Sequence, residues 1–220
     1  MKRAAALELV IFDCDGVLVD SEPITNRVLA EALCEIGLAT TVESSMRDYM
    51  GRSWPACVEI FEDRLGRPLP PQFAERFWTR AEAALRAELQ PVPGIREVLA
   101  RIPTPTCVAS SGRPEKMRIT LGMTGLLPRF EGRIFSALDV ARAKPWPDLF
   151  LHAAARMGAA PATCVVVEDS PRGVEAGVAA GMRVLGFARR TDAASLEAAG
   201  AEVFCDMLEL PERLGLGVKA

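Results

Sequence analysis

Short apolar runs alternate along the chain with longer segments in which apolar residues recur every three or four positions. The runs are nearly all apolar and often β-branched, which is typical of strands buried on both faces of a parallel sheet. From residue 92 onward, strands and helices alternate, and this order predicts a doubly wound α/β domain. The predicted strands are Leu9–Phe12, Thr106–Ala109, Ile134–Ser136, Cys164–Val167 and Val184–Phe187, with a weaker one at Val203–Cys205.

Residues 21–90 contain helical patterns and little strand pattern, in the ranges 24–36, 54–65 and 71–89. We therefore predict two domains: an α/β core formed by residues 1–20 and 91–220, and a helical insert formed by residues 21–90. The segment Pro91-Val92-Pro93-Gly94 would bring the chain back to the core. In the core, Ser170-Pro171 indicates a helix start with an N-cap and a first-turn proline.

Composition excludes several classes of function. The chain has 220 residues and a net charge of −3, so it lacks the basic surface expected of a nucleic-acid-binding protein. It has no apolar stretch of about 18 residues, so we expect no membrane span. Six cysteines without a C-x-x-C pair favour buried thiols in a reducing cytoplasm. His152 is the only histidine, which excludes a multi-histidine metal site. We expect a cytoplasmic monomer or weak dimer.

Four polar clusters follow predicted strands. They are Asp13-Cys14-Asp15-Gly16, Ser110-Ser111-Gly112, Lys144-Pro145-Trp146-Pro147-Asp148 and Glu168-Asp169-Ser170. Ligands of open α/β sheets bind at the carboxyl ends of the strands. We therefore expect four carboxylates, a hydroxyl and an ammonium to converge on that edge, the carboxylates being those of Asp13, Asp15, Glu168 and Asp169.

Carboxylates this close together repel each other, and a divalent cation would relieve the repulsion. An all-oxygen ligand set favours Mg²⁺, which keeps some of its waters and takes phosphate oxygens. A cation, a lysine and a hydroxyl are together suited to a phosphoryl group. In Asp13-x-Asp15, one carboxylate can be the nucleophile while the other acts as general acid and base.

These clusters resemble a known family. The stretch from Phe12 to Glu22 is similar to the opening motif of the haloacid dehalogenase-like phosphatases, in the branch with a helical cap that includes β-phosphoglucomutase and sugar-phosphate phosphatases. The later clusters match in order: Val108–Ser111, Lys144–Asp148 and Val167–Gly173. The resemblance implies a Rossmann-like core with a helical cap inserted after the first strand.

The resemblance also implies roles for individual residues. Asp13 would be the nucleophile and Asp15 the general acid/base, while Ser110 and Lys144 would hold the phosphoryl group. The implied magnesium ligands are Asp13, the backbone carbonyl of Asp15, and Asp169. Glu168 would be a further ligand or a partner of the ligands.

Differences between this chain and other branches of the family narrow the choice of activity. Dehalogenases lack the acid that Asp15 supplies, and phosphonatases use a cap lysine, whereas the lysines here are Lys2, Lys116, Lys144 and Lys219. β-Phosphoglucomutase has a cap histidine twelve residues after the nucleophile, where this chain has Thr25. A phosphatase is therefore favoured, with mutase-like phosphoryl transfer as the alternative.

The substrate should be a small phosphorylated metabolite. The segment Tyr49–Ser53 resembles the cap loop that faces the active site in this branch, and Ser110–Met117 is similar to phosphatases of sugar phosphates and of sugar-acid phosphates such as 6-phosphogluconate. We expect Arg52, Ser111 and Arg113 to contact the substrate.

A signalling receiver domain remains as a different class, because it is also doubly wound and also uses acidic residues, a Ser/Thr, a lysine and Mg²⁺. Receivers lack the helical insert, and their phosphoacceptor lies on a later strand.

Overall fold

The computed structural model describes residues 6–50, 52 and 54–216. The chain divides into two compact units: Met1–Val19 together with Pro91–Ala220, and Asp20–Gln90. We call the first the core unit and the second the helical unit. Where the chain leaves and re-enters the core unit, the amide of Val92 donates to the carbonyl of Leu18 at 3.0 Å.

The core unit contains a six-stranded parallel sheet in the order β3-β2-β1-β4-β5-β6. In the central strand Ile11 lies opposite both Cys107 and Val166. The predicted α/β class with a parallel sheet is confirmed. The strands are β1 Leu9–Phe12, β2 Thr106–Ser110, β3 Ile134–Ser136, β4 Cys164–Glu168, β5 Arg183–Phe187 and β6 Glu202–Phe204.

Three strands are one residue longer than their apolar runs predict: β5 begins at Arg183 rather than Val184, and β2 and β4 end one residue later. Ser110 pairs with Ser136 in β3, and Glu168 pairs with Gly186 in β5, so both polar residues end a strand. The cause is the backbone: ladder hydrogen bonds continue whatever side chain a residue carries. The prediction of Val203–Cys205 was wrong by one residue, because the strand runs from Glu202 to Phe204.

The described residues of the helical unit form four helices around their own apolar cluster. Tyr49 meets the ring of Phe61 edge-on at 4.8 Å, and Trp54 stacks on Phe77 at 5.1 Å. The second helix was not predicted. It begins with a capping box between Thr41 and Ser44. The helices are α1 Glu22–Glu35, α2 Val42–Tyr49, α3 Trp54–Leu65 and α4 Phe73–Glu88.

In the described residues of the core unit, seven α-helices and three short 3-10 helices accompany the sheet. Ser170 caps the predicted helix that starts at Pro171, because its hydroxyl accepts from the amide of Gly173 at 3.1 Å. In the described part of the chain, no helix has the length and apolarity to cross a membrane. The helices are α5 Ile95–Arg101, α6 Pro114–Met123, α7 Leu127–Phe130, α8 Asp148–Met157, α9 Pro171–Ala179, α10 Ala193–Ala198 and α11 Leu210–Arg213.

Candidate active site

Asp13 is the first residue after β1 and is 6% exposed. Its amide donates to the carbonyl of Val167 at 2.9 Å, so the neighbouring strand holds its backbone. The chain then turns tightly, because the amides of Leu18 and Val19 both donate to the carbonyl of Cys14. The turn keeps Asp13 and Asp15 at the carboxyl end of the sheet.

Gly16 allows this turn to pack against Asp169. Its φ of 81° favours glycine, and a Cβ placed there would lie 1.9 Å from Oδ2 of Asp169. Glycine is therefore required both for backbone conformation and for space. The consequence is that the Asp169 carboxylate, which follows β4, lies directly against the Asp13–Gly16 turn.

Lys144 reaches the same site from the segment that leads into α8. Its ammonium lies 2.5 Å from Oδ1 of Asp13 and also donates to Oε1 of Glu168. All three side chains are almost completely buried. The backbone carbonyl of Lys144 accepts from the guanidinium of Arg172 at 2.9 Å, which ties the lysine to the start of α9.

Both oxygens of the Glu168 carboxylate are hydrogen-bonded within the protein. Oε1 accepts from Lys144. Oε2 accepts from the amides of Asp169 and Ser170 at 3.0 Å each and from the Ser170 hydroxyl at 2.9 Å. This arrangement suits Glu168 to hold Lys144 and the turn after β4.

Burial and the three charges set the protonation of the site. Burial raises the pKa of Asp13 to about 7; Lys144 opposes this rise, and Glu168 adds to it. Burial alone would lower the pKa of Lys144, but the charges of Asp13 and Glu168 outweigh it and raise that pKa above its ordinary value. Lys144 is therefore an ammonium at every physiological pH. A cation bound to Asp13 would bring the pKa of that carboxyl down.

Ser110 ends β2, beside β1, and is 2% exposed. Its hydroxyl accepts from the amide of Gly112 at 3.3 Å, and the carbonyl of Gly112 accepts from the hydroxyl of Ser136 at 2.8 Å. A Cβ added at Gly112 would lie 3.8 Å from both Ser110 Oγ and Asp15 Oδ2. The structure therefore brings the Ser110 hydroxyl and the Asp15 carboxylate close to the same glycine.

Lys116 is a site residue that the sequence reasoning missed. Its ammonium lies 3.0 and 2.9 Å from the two carboxylate oxygens of Asp15. It belongs to the first turn of α6, where a cation opposes the helix dipole. The sequence did contain one signal, because a lysine in the first turn of a helix implies a negative charge nearby.

The other residues predicted to contact the substrate are exposed in the structure. Ser111 and Arg113 are exposed in the segment between β2 and α6. Arg52 is exposed in the helical unit and donates to the carbonyl of Asp48 at 2.7 Å. Gly51 and Ser53 of the predicted Tyr49–Ser53 loop lie outside the described residues.

The donor set is suited to a hard cation. Among the described residues, no three acidic, histidine or cysteine side chains are grouped closely enough to hold a metal by themselves. Mg²⁺ does not need such a group, because it keeps waters and takes phosphate oxygens beside one or two carboxylates. Asp13 and the Asp169 carboxylate against Gly16 supply that number.

Residues 7–181 match the family model of the haloacid dehalogenase-like hydrolases. The chain belongs to this family, as its motifs suggest, and it is a phosphoric monoester hydrolase. The match excludes a receiver domain.

Curated relatives and a solved structure support the same family. The chain is 33% identical over 208 residues to 6-phosphogluconate phosphatase of Escherichia coli (strain K12), covering 94% of each chain. It is 30% identical over 178 residues to hexitol phosphatase B of the same organism, covering 79% of this chain and 80% of the relative. A haloacid dehalogenase-like protein of unknown function from Agrobacterium tumefaciens is 36% identical, with a TM-score of 0.87 and coverage of 96% of this chain and 99% of that one.

Proposed function

We propose that this protein is a magnesium-dependent phosphatase that hydrolyses a small sugar phosphate or sugar-acid phosphate, such as 6-phosphogluconate, through an aspartyl-phosphate intermediate. The observation that carries the proposal is the buried contact between Asp13 and Lys144, on the sheet edge that also presents Asp15 and Ser110. A carboxylate held against an ammonium at this edge is suited to attack a phosphoryl group.

In the first step, a carboxylate oxygen of Asp13 attacks phosphorus, and the bond between phosphorus and the ester oxygen breaks. The Lys144 ammonium and the Ser110 hydroxyl stabilise the negative charge on the equatorial oxygens. Glu168 keeps Lys144 in place while Asp13 changes from a carboxylate to an acyl phosphate.

Asp15 moves the protons. As a carboxylic acid it donates a proton to the departing ester oxygen, which leaves as an alcohol. As a carboxylate it then takes a proton from the water that attacks the phosphorus of the intermediate. Phosphate leaves, Asp13 is a carboxylate again, and Asp15 has regained its proton.

Asp13, Asp169 and the backbone carbonyl of Asp15 would hold Mg²⁺. When bound, the ion supplies positive charge that reduces repulsion between the carboxylates and the phosphoryl oxygens. In this proposal Glu168 supports the site through Lys144 and the turn after β4, since both its oxygens already accept hydrogen bonds.

The substrate class is supported by the two curated relatives, which are named for 6-phosphogluconate and hexitol phosphates. Arg52, Ser111 and Arg113 are proposed to contact the leaving group. We propose residues 1–20 and 91–220 as the catalytic domain and residues 21–90 as the cap domain. The cytoplasmic location and the monomeric or weakly dimeric state stay predictions.

The test is a phosphate-release assay with Mg²⁺ on a panel of sugar, sugar-acid, polyol and nucleotide phosphates. We expect release to be fastest with a sugar or sugar-acid phosphate and to stop with a chelator. Asp13→Asn is the matched control, because it keeps the side chain's size and removes the nucleophile. Turnover that persists in this variant would overturn the proposal.

The assay also tests the mutase-like alternative. Trapping the phosphorylated protein and adding either water alone or a sugar acceptor separates the two. Transfer to the sugar in preference to water would replace hydrolysis by mutase-like transfer.

A further inference from the structure

Lys116 is the second lysine of the active site, and it contacts a different carboxylate from Lys144. Its ammonium lies 3.0 and 2.9 Å from the two oxygens of Asp15, and the side chains are 35% and 17% exposed. We infer that Lys116 is a positioning residue that holds the Asp15 carboxyl group in line with the ester oxygen of the substrate. The inference rests on the proposed function, in which Asp15 is the general acid and base.

The helix does not explain why a lysine stands at this position. Lys116 lies in the first turn of α6, where the positive end of the helix dipole disfavours a cation by about 0.3–1 kcal/mol. The Asp15 carboxylate supplies the charge that offsets this cost. The residue is therefore better explained by its contact with Asp15 than by helix stability.

The surroundings place this contact beside the phosphoryl-binding residues. α6 follows β2, whose last residue is Ser110, and a Cβ added at the intervening Gly112 would lie 3.8 Å from Oδ2 of Asp15. One segment thus supplies both Ser110 and the ammonium that holds Asp15. Lys116 contacts both oxygens of the carboxylate, and when Asp15 carries its proton the other oxygen can still accept from Lys116. In either form the group has less freedom to turn away, and such orientation is a large part of catalytic efficiency.

This role predicts a dependence on the leaving group. An alkyl phosphate needs Asp15 to protonate the departing oxygen, whereas p-nitrophenyl phosphate leaves as a stable anion and needs little protonation. We expect Lys116→Met to lower kcat/KM by about 10- to 100-fold for a sugar phosphate and by less than about threefold for p-nitrophenyl phosphate. Lys116→Arg should restore most of the loss, because it keeps the charge.

Arg118→Met is the matched control. Arg118 is a cation on the same helix, but it pairs with Glu131 on the surface. We expect this variant to have unchanged kcat/KM on both substrates. Lys116→Gln is measured alongside Lys116→Met, and thermal melting is used to check that both variants are folded.

A double-variant comparison separates this inference from the proposed function. If Lys116 acts through Asp15, Lys116→Met should have little further effect in an Asp15→Asn background. If Asp15→Asn lowers kcat/KM equally for both substrates, the proposed role of Asp15 as general acid fails, because kcat/KM reports the steps up to cleavage of the ester bond. If Asp15→Asn discriminates between the substrates but the Lys116 variants do not, or if the two losses simply add, only the positioning role of Lys116 is overturned.

Discussion

Lys144 Nζ and Asp13 Oδ1 lie 2.5 Å apart in a site where both side chains are at least nine-tenths buried. Glu168 contacts the same ammonium and is also buried. The cluster thus has two carboxylates and one cation, so it carries one excess negative charge. Such an arrangement favours binding of a further cation and makes the cluster sensitive to the loss of Lys144, its one positive charge.

Replacing Lys144 should destabilise the protein as well as inactivate it. Lys144→Met leaves two buried carboxylates facing each other, and loss of one partner from a buried ion pair costs about 3–5 kcal/mol. Urea denaturation without metal measures the free energy of unfolding. Arg86→Met, which removes an exposed pair with Glu82, is the control and should cost at most about 1 kcal/mol. Equal losses in the two variants would contradict the buried-cluster account.

The raised pKa of Asp13 predicts how stability depends on pH without metal. The unfolded carboxyl has an ordinary pKa of 3.8, and the folded one has a pKa of about 7, so the folded state holds its proton more tightly. The contribution of Asp13 therefore lowers the free energy of unfolding increasingly as pH rises from about 4 to about 7. Above about pH 7 this contribution is constant.

Asp13→Asn removes this contribution. In chelator, the melting temperature of the variant should exceed that of the wild type at pH 8, and the difference should shrink at pH 5. A change of about 1 kcal/mol corresponds to about 2–4 °C for a chain of this size. A difference that grows on acidification would show that the pKa of Asp13 is not raised.

Gly16→Ala should impair the predicted metal site. The new Cβ would overlap Oδ2 of Asp169, and a φ of 81° adds backbone strain of about 1–3 kcal/mol. We expect activity to fall at least about tenfold and the Mg²⁺ concentration needed for half-maximal activity to rise. The measurement is a magnesium titration of phosphate release.

Gly158→Ala is the control for strain alone. Gly158 has a φ of 73° and nothing within 4 Å of the added Cβ. The Gly158→Ala variant should be less stable than the wild type but should need the same Mg²⁺ concentration for half-maximal activity. If both variants need the same Mg²⁺ concentration as the wild type, the contact between Gly16 and Asp169 is unimportant for the metal.

Thiol reactivity should follow burial. Cys34 and Cys205 are exposed, whereas burial raises the pKa of Cys164 to about 11 and that of Cys14 well above its ordinary value. Brief iodoacetamide treatment of the native protein should modify only the two exposed thiols, as counted by mass spectrometry, and all six after unfolding. Modification of Cys14 in the native state would show that the Asp13–Gly16 turn opens.

Much of the active-site neighbourhood follows from strand order and local motifs. The apolar runs predicted β1, β2 and β4, and polar residues at the carboxyl ends of parallel strands must share one edge. This is why Asp13, Ser110 and Glu168 could be grouped without a structure. Their chemical roles stay predictions until they are measured.

Lys116 and α2 show where such reasoning stops. A helical side chain can reach back to another loop only if the helix leaves its strand in a particular direction, and spacing along the chain carries little information about that direction. The capping box at Thr41 marks the start of α2, but its eight residues give too short a pattern to stand out.

The α/β class, the parallel strands and the residue types at the sheet edge could be read from the chain, because they follow from hydrophobic period and from motif chemistry. The folded protein was needed to show which groups meet: Lys144 with Asp13 and Glu168, Lys116 with Asp15, and Asp169 with Gly16. The physical reason is that periodicity reports which face of an element is buried. Contacts between side chains of different loops and helices depend instead on side-chain conformation and on the exact direction of each loop.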